Sequence, residues 1–500
     1  MPDTARTADN TLPTRGEGAE SPSAATAAPS AAATGTPAAS TMVRWVVASG
    51  MFMSQLDSTI LTTSIPQIAA SLDENPLHLN VAITAYLISL AVFIPISGWI
   101  ADRFGPRRVF CAAIAVFTLS AAMCGLSTSL WQLVTMRVIQ GFGGALMTPV
   151  GRLILVRSFP KDQLLAAMAY VSIPALVAPA VGPIIGGFLT TYMSWHWIFF
   201  VNLPIGMVGI ALALRYVRNF EAPPPMRFDF RGFFVVGMGL ALLQFSIENL
   251  GHPLVSKPVL VALFAGAAAM LALYTLHALG RSDAVLDLNL FRIRTFRAST
   301  VSGGLCRLAI GAVPFLLPLM LQVGFGLAPI ASGFITFVTS IGAIGMKTVA
   351  TRLARRFGFR NLLVYNAGLL GSVIAGMALF QPDTPHWFML TYLILYGVIR
   401  ATQFTNVQAL AYADLPAEAM SRGTSMASVA QQLSSSFGVA VAATTLSLVV
   451  GSATEITPHD FHIAFIVVGM MPVLGVIGFV RLKPTDGAEI AGQQGRRRRG

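Results

Sequence analysis

The sequence predicts an all-α polytopic membrane protein of fourteen transmembrane helices, built as two pseudo-symmetric six-helix bundles with a two-helix hairpin inserted between them. Three observations carry this expectation. Hydrophobic residues make up 55% of the 500-residue chain and charged residues only 11%, against roughly a quarter charged in soluble domains. The apolar residues collect into runs that match the roughly 20 residues a helix needs to cross a hydrocarbon core. Short motifs in the first half return in the second. The mean hydropathy of +0.69 excludes a soluble, disordered or nucleic-acid-binding chain, although the net charge is +12.

Residues 1–41 are rich in Ala, Thr, Ser, Pro and Gly and hold no aromatic residue. Such a segment buries no core and is expected to be a disordered cytoplasmic tail. It also lacks the apolar stretch of a signal peptide. The first strongly apolar run starts at Met42. The first bundle, 42–217, takes in spans at about 42–69, 78–101, 107–127, 130–151, 163–190 and 195–215. The hairpin, 231–280, holds spans at 232–250 and 257–279, and residues 258–279 carry no Asp, Glu, Lys or Arg. The second bundle, 296–482, holds spans at 298–323, 328–351, 361–381, 387–412, 423–450 and 460–481, before a basic tail at 483–500. Strands of a membrane barrel would alternate polar and apolar residues over about ten positions, and these runs do not.

The basic residues orient the spans. Of the 33 Lys and Arg, Arg137, Arg307, Lys347 and Arg400 lie within spans and Lys257 lies in an outer loop. All the others fall on one side if both termini are cytoplasmic, which is the positive-inside pattern. Cys111, Cys124 and Cys306 sit in apolar runs with no C-x-x-C pair, so neither a disulfide framework nor a zinc site is expected. His459 and His462 are too few to hold a metal.

Two motifs repeat. The loop after the second span reads ADRFGPR, from Ala101 to Arg107, and the loop after the tenth reads ARRFGFR, from Ala354 to Arg360; five of the seven positions agree. The fourth span carries R-x-x-Q as Arg137 and Gln140, and the twelfth repeats it as Arg400 and Gln403. Parallel repeats of this kind form transporters whose substrate site lies between the halves near the bilayer midplane.

These stretches carry a resemblance. GWIADRFGPRR holds Gly98, Asp102, Arg103, Gly105, Arg107 and Arg108; LDSTILTTSIPQIA holds Asp57 and Pro66. RVIQGFGGA follows in the fourth span, PAVGPIIGG in the fifth, and WHWIFFVNLPIG from Trp195 to Gly206. In these motifs, over about 42–482, the chain resembles the major facilitator superfamily, specifically its fourteen-helix drug:proton antiporter branch of multidrug exporters. The resemblance implies proton coupling through Arg137 and a gate latch at Asp102.

Asp57 is the sharpest candidate from the residues themselves. It lies near the bilayer centre, where a charge is costly and marks a functional path, which suits a proton carrier. A structural Asp bonded to hydroxyls such as Ser54 is the alternative. Arg307 occupies the comparable depth of the ninth span, and the two are expected to line one cavity with Arg400, Gln140, Gln403 and Gln431; a direct Asp57–Arg307 pair is the alternative to proton carriage by Asp57. Gly98, Asp102, Arg103, Gly105 and Arg107 on the inner face, and Pro179, Gly182, Pro183 and Gly186 in the fifth span, are expected to serve gating. Close approach at Gly-x-x-x-Gly spacing and bending at Pro underlie the second group. Lys347 reads equally as a residue snorkelling to the interface, and Glu248 as a solvated helix end.

The expected function is secondary export of small amphiphilic molecules in exchange for protons, from a bacterial cytoplasmic membrane. No phosphate loop or catalytic motif stands out, so no enzyme activity, cofactor or metal is expected and the proton gradient is the coupling ion. The lipid bilayer and a small-molecule substrate are the expected partners, with no nucleic acid and a functional monomer. Three deep arginines against one deep aspartate predict neutral, zwitterionic or acidic cargo and poor transport of dications. A dedicated exporter of one neutral or anionic metabolite is the alternative, and a transporter-like sensor without flux a more remote one.

Overall fold

A computed structural model describes residues 37–61, 64–74, 76–220, 227–250, 255–281, 283–450 and 457–490. The low-complexity tail up to residue 36, the last ten residues of the basic tail, and the side chains of Pro66, Lys347 and Arg355 lie outside the described set. The described residues are mostly helical, with no strand among them.

The first half runs α1 (Pro37–Ile60), α2 (Ile65–Leu72), α3 (Pro76–Phe93), α4 (Ser97–Phe104), α5 (Pro106–Gly125), α6 (Leu130–Ser158), α7 (Lys161–Tyr192), α8 (Trp197–Phe200) and α9 (Asn202–Tyr216). The hairpin is α10 (Phe230–Glu248) and α11 (Lys257–Ala278). The second half runs α12 (Arg294–Arg297), α13 (Gly303–Leu319), α14 (Pro329–Gly345), α15 (Lys347–Gly376), α16 (His386–Leu410), α17 (Met420–Val450) and α18 (Pro458–Val480).

Eleven helices among the described residues are long and apolar enough to cross a membrane, and Ala331–Gly345 is a shorter apolar helix. Two further expected spans, α1 and α16, are helical over 24 and 25 residues. Their own polar groups (Arg44, Gln55 and Asp57 in one; Arg400, Gln403, Asn406 and Gln408 in the other) lower their hydropathy.

Several expected spans are interrupted. The first is divided between α1 and α2. The second turns through a 3-10 segment, Ile94–Ile96, at Pro95, where a missing N–H breaks the helical ladder. The tenth and eleventh were expected to be separated by a loop near 352–360. The break is there: the stretch α15 comprises two helices that meet at Gly358, whose φ of 74° is not helical. Gly105 has φ 86° and occupies the same position of the first-half motif. A positive φ favours Gly because a Cβ would strain it, so the two FG loops repeat in backbone conformation as well as in letters.

The helix pairings repeat too. In the first half α1 packs on α7, α3 and α5 on α6, and α5 on α9; in the second, α13 packs on α17, α14 and α15 on α16, and α15 on α18. The halves meet where α7 touches α14 and α16, and where α17 touches α4 and α6. Helix α10 of the hairpin lies against α3 and α17, one helix from each half. Helix α11 buries only Ala267, Tyr274 and Ala278, and an apolar helix exposed on most sides belongs in lipid. Asp229 ties the hairpin's ends together, accepting from Gly232 N at 2.9 Å and meeting His277 Nε2 at 2.9 Å.

Lipid tails are as apolar as Leu, so such helices associate through close packing. The contact of α14 with α16 shows the requirement: a Cβ on Gly397 would run into the carbonyl of Thr339, and one on Gly342 into that of Ile394. Gly187, near the end of α7, has open space instead. Gly397→Ala is therefore expected to cost about 1–3 kcal/mol by overpacking, while Gly187→Ala stays near neutral. Thermal unfolding of the detergent-solubilised chain measures the difference.

Candidate functional site

A cavity of about 710 Å³ opens between the halves, walled by α1, α3, α7, α10, α13 and α17. Its polar lining comes from Ser54, Gln55, Ser58 and Thr59 of α1 and from Gln431, Gln432, Ser435, Ser436 and Ser447 of α17; Leu87, Leu90 and Phe315 add apolar surface. Glu248 at the end of α10 is the charged residue in the wall. The mixture of apolar surface with a few polar groups is that of small-molecule sites.

The cavity is shut at the end that carries the basic loops. Ser97 Oγ meets Ser425 Oγ at 2.8 Å. A Cβ on Gly98 would lie 2.7 Å from Ser425 Oγ and 2.8 Å from the Ser421 carbonyl. Asp102 accepts from the Ser421 hydroxyl and from Arg157 Nη2 at 3.0 Å. Ser421 is the second residue of α17, so the carboxylate sits at the positive end of that helix dipole.

One turn deeper, Arg152 spans the halves, donating to Ser428 Oγ at 3.1 Å and to Gln431 Oε1 at 2.7 Å. In the amide orientation that satisfies both its groups, Gln408 accepts from Arg152 Nε at 2.6 Å and donates to Ser172 at 3.2 Å. Four helices, α6, α7, α16 and α17, are thereby joined beneath the cavity floor. At the opposite end, Gly187 of α7 and Gly333 of α14 have open space where a Cβ would be.

Asp57 is fully buried in a ring of three side chains. Arg137 Nη1 donates to Asp57 Oδ2 at 2.5 Å and to Gln140 Oε1 at 2.7 Å, and Gln140 Nε2 donates to Asp57 Oδ1 at 2.9 Å. Arg137 lies over the Tyr86 ring at 4.3 Å, and Tyr86 reaches Ser54 at 3.3 Å. The R-x-x-Q spacing brings Arg137 and Gln140 onto one face of α6, and that face meets α1.

The second R-x-x-Q does not rebuild the ring. Arg400 Nη2 reaches the Leu176 carbonyl at 3.5 Å, and its guanidinium lies over the Tyr396 ring at 5.5 Å. Gln403 accepts from Asn366 at 2.9 Å and faces Cys306 Sγ at 3.4 Å.

The expectations for single residues are thus corrected in part. Asp57 pairs with Arg137 and not with Arg307, which donates to the Ser299 carbonyl at 3.3 Å. Of the six residues expected to line the cavity, Gln431 does. Arg400 lines a separate hollow of about 130 Å³ beside Pro179 and Pro183. Asp57, Gln140, Arg307 and Gln403 are buried in helix contacts. The reason is helical rotation: Ser54 and Ser58 stand a turn apart on the cavity face, and Asp57 falls on the flank that meets α6.

Among the gating candidates, Gly98 and Asp102 lie at the contact between halves, and Arg107 donates to the Leu214 carbonyl within the first half. Arg103 is exposed. Gly182 packs against Thr59 of α1, Gly186 is buried, and Pro179 faces both hollows.

Two residues escaped sequence reading. Arg152 was placed at a helix end, yet α6 continues to Ser158 and buries it; the LILV after it was the signal. Glu248 was taken for a solvated end, yet it lines the cavity; Gln244 four residues earlier, on the same helical face, was the signal.

Comparison with known proteins was made on this basis. The model of the Major Facilitator Superfamily matches residues 47–439 and, in a second overlapping match, 301–498. MdtD of Salmonella heidelberg (strain SL476), a protein named for multidrug resistance, is 37% identical over 448 residues, covering 88% of this chain and 94% of its own. MdtD of Salmonella typhimurium (strain LT2) matches with the same identity and coverage. Among solved structures, the human organic anion transporter MFSD10 aligns with a TM-score of 0.61 at 15% identity, over 89% of this chain and 100% of its own. The proton:xylose symporter XylE, bound to 6-bromo-6-deoxy-D-glucose, aligns with a TM-score of 0.63 at 12% identity, over 91% and 98%. At these identities the two structures speak to fold alone.

The Asp57–Arg137 ring leads to a stability prediction. Removing one partner of a buried pair strands the other charge and costs about 3–5 kcal/mol, whereas replacing both by neutral groups of similar volume is close to neutral. Asp57→Ala is expected to lower the unfolding temperature more than the double variant Asp57→Asn with Arg137→Met. The reverse order in a thermal-shift series would contradict the pairing.

Proposed function

Since the chain belongs to the Major Facilitator Superfamily, and is therefore a membrane transporter and not an enzyme, we propose that it exports small amphiphilic molecules from the cytoplasm in exchange for protons, by alternating access. The observation that carries this reading is a cavity shut at the basic end with a sealed Asp57–Arg137 pair beside it. With the basic end cytoplasmic, as the positive-inside pattern requires, the cavity faces outward, the stage at which cargo leaves and a proton enters. Ser54 and Ser58 line the cavity on either side of Asp57 in sequence, so a small rotation of α1 turns the carboxylate towards water. The name of the MdtD relatives favours drug-like cargo.

In this cycle a proton arriving from outside neutralises Asp57 and releases Arg137. An unpaired buried guanidinium is costly, and that cost favours a rearrangement of α1 against α6 and α7. The contacts of α4 and α6 with α17 then open, and the site meets the cytoplasm, where the proton leaves and cargo binds. Both halves and the complete cavity lie in one chain, so a monomer suffices. No cofactor enters the cycle; the proton gradient supplies the free energy.

Inverted vesicles test the coupling. Efflux of a fluorescent amphiphile by the native chain is expected to collapse with a protonophore, and Asp57→Asn is expected to lower gradient-driven flux about tenfold or more. Flux that ignores both changes would sink the antiport reading.

The gate has its own test. Arg152→Ala removes the links to Ser428 and Gln431, and spin labels at Phe104 and Glu418 are expected to report a larger population at long distance. An unchanged distance distribution would show that Arg152 does not hold the closure.

A further inference from the structure

The inserted hairpin contributes a charged group to the cavity that neither repeat supplies. Glu248 is the last residue of α10 and lies in the cavity wall with Ile247 and Leu250. No Lys, Arg or His among the described residues forms an ion pair with it. It is held by Gln244, whose Nε2 donates to Glu248 Oε1 at 2.8 Å and to Ser436 Oγ of α17 at 3.0 Å. Gln244 is completely buried, and its own Oε1 has no donor among the described residues. The Gln244 carbonyl oxygen, without a donor among the described residues, thus stands beside a carboxyl group that Gln244 holds in the cavity wall.

Helix stability does not explain the placement. A carboxylate at a helix C-terminus faces the negative end of the dipole and is unfavourable there. The arginines at depth do not offset it within the cavity: Arg137 is paired with Asp57, and neither Arg152 nor Arg307 is in the wall. Among the described residues the ionisable group that cargo meets in this cavity is a carboxyl, which runs against the preference read from the tally of deep residues.

We propose that Glu248, positioned by Gln244, anchors the cationic group of a monocationic amphiphile bearing N–H donors, the apolar body lying against Phe315 and Leu87. The hairpin is then a working wall of the binding cavity. The proposal rests on this cavity being the cargo site but not on proton coupling. A single carboxylate leaves the second charge of a dication unpaired, so dications bind more weakly.

The test is equilibrium binding to the detergent-solubilised full chain without a gradient, so its outcome is independent of the flux assay. Ethidium, a monocation with aromatic amines, is the probe, propidium its dicationic analogue and fluorescein an anion. Ethidium is expected to bind more tightly than the other two. Glu248→Gln is expected to raise its Kd about tenfold or more and Glu248→Asp to stay within about threefold of native. Absence of saturable ethidium binding, tighter fluorescein binding, or an unchanged Kd in Glu248→Gln would overturn the proposal. Should Glu248→Gln fail to fold, carbodiimide labelling of Glu248 in the native chain replaces it. Saturating ethidium is expected to slow the labelling, and an unchanged rate would overturn the assignment.

Discussion

A charge in a hydrocarbon slab must be neutralised locally or reach water, because the slab offers it no other partner. The Asp57–Arg137–Gln140 ring satisfies that condition without water. One carboxylate, one guanidinium and one amide use one another's donors and acceptors, and Tyr86 covers the guanidinium face. The orientation of α1 follows from this ring. With Asp57 committed to α6, the hydroxyls of Ser54, Ser58 and Thr59 face the space between the halves, and the cavity acquires its polar floor. A pair so enclosed can change its partners only if its charge changes, which is why the proposed coupling is placed there.

The two halves share their packing pairs and their FG loops but not their charges. The fold repeats because close helix approach depends on small residues, and both halves have them: Gly182 against Thr59 in one, Gly342 and Gly397 in the other. The chemistry does not repeat, since Arg307 and Arg400 have no carboxylate partner among the described residues: Arg307 donates to a carbonyl, and Arg400 meets a carbonyl and the Tyr396 ring. Arg152 adds a further guanidinium at the contact between halves, satisfied by Ser428 and Gln431. Neutral partners hold such a group more loosely than a carboxylate would. The closure can therefore open at less cost than the Asp57 ring, and it lies where the halves must part.

Sequence legibility followed the same division. Spans and the loop repeat were readable because they depend on apolar length and on the residues of the FG motif, each of which leaves a local mark, whereas the helix pairings came from the structure alone. Gly105 and Gly358 are the clearest case. Asp57 was legible as a functional group, but its partner was not. Depth alone suggested Arg307, whereas the azimuth around α1 selects Arg137, and azimuth between distant helices is not written in either helix. Arg152 was misplaced because one basic residue was allowed to end a span that continued through LILV. The deep arginines suggested neutral, zwitterionic or acidic cargo for the same reason, since composition counts charges without saying which face they occupy.

The hairpin follows from this distinction between depth and face. Helix α11 does little but face lipid, burying only Ala267, Tyr274 and Ala278 along its length. Helix α10 differs because it touches α3 and α17 together, one member of each half, at the seam that alternating access would open. A helix there can seal the seam only by following both neighbours through the cycle. The Gln244 bridge to Ser436 attaches it to α17, and Val92 of α3 lies against Gly237. A carboxylate carried on such an element changes its surroundings whenever the halves move, as no residue fixed within one bundle would. Binding at Glu248 and opening of the seam are then linked, and by reciprocity whatever cargo favours one position of the halves is held more tightly in it.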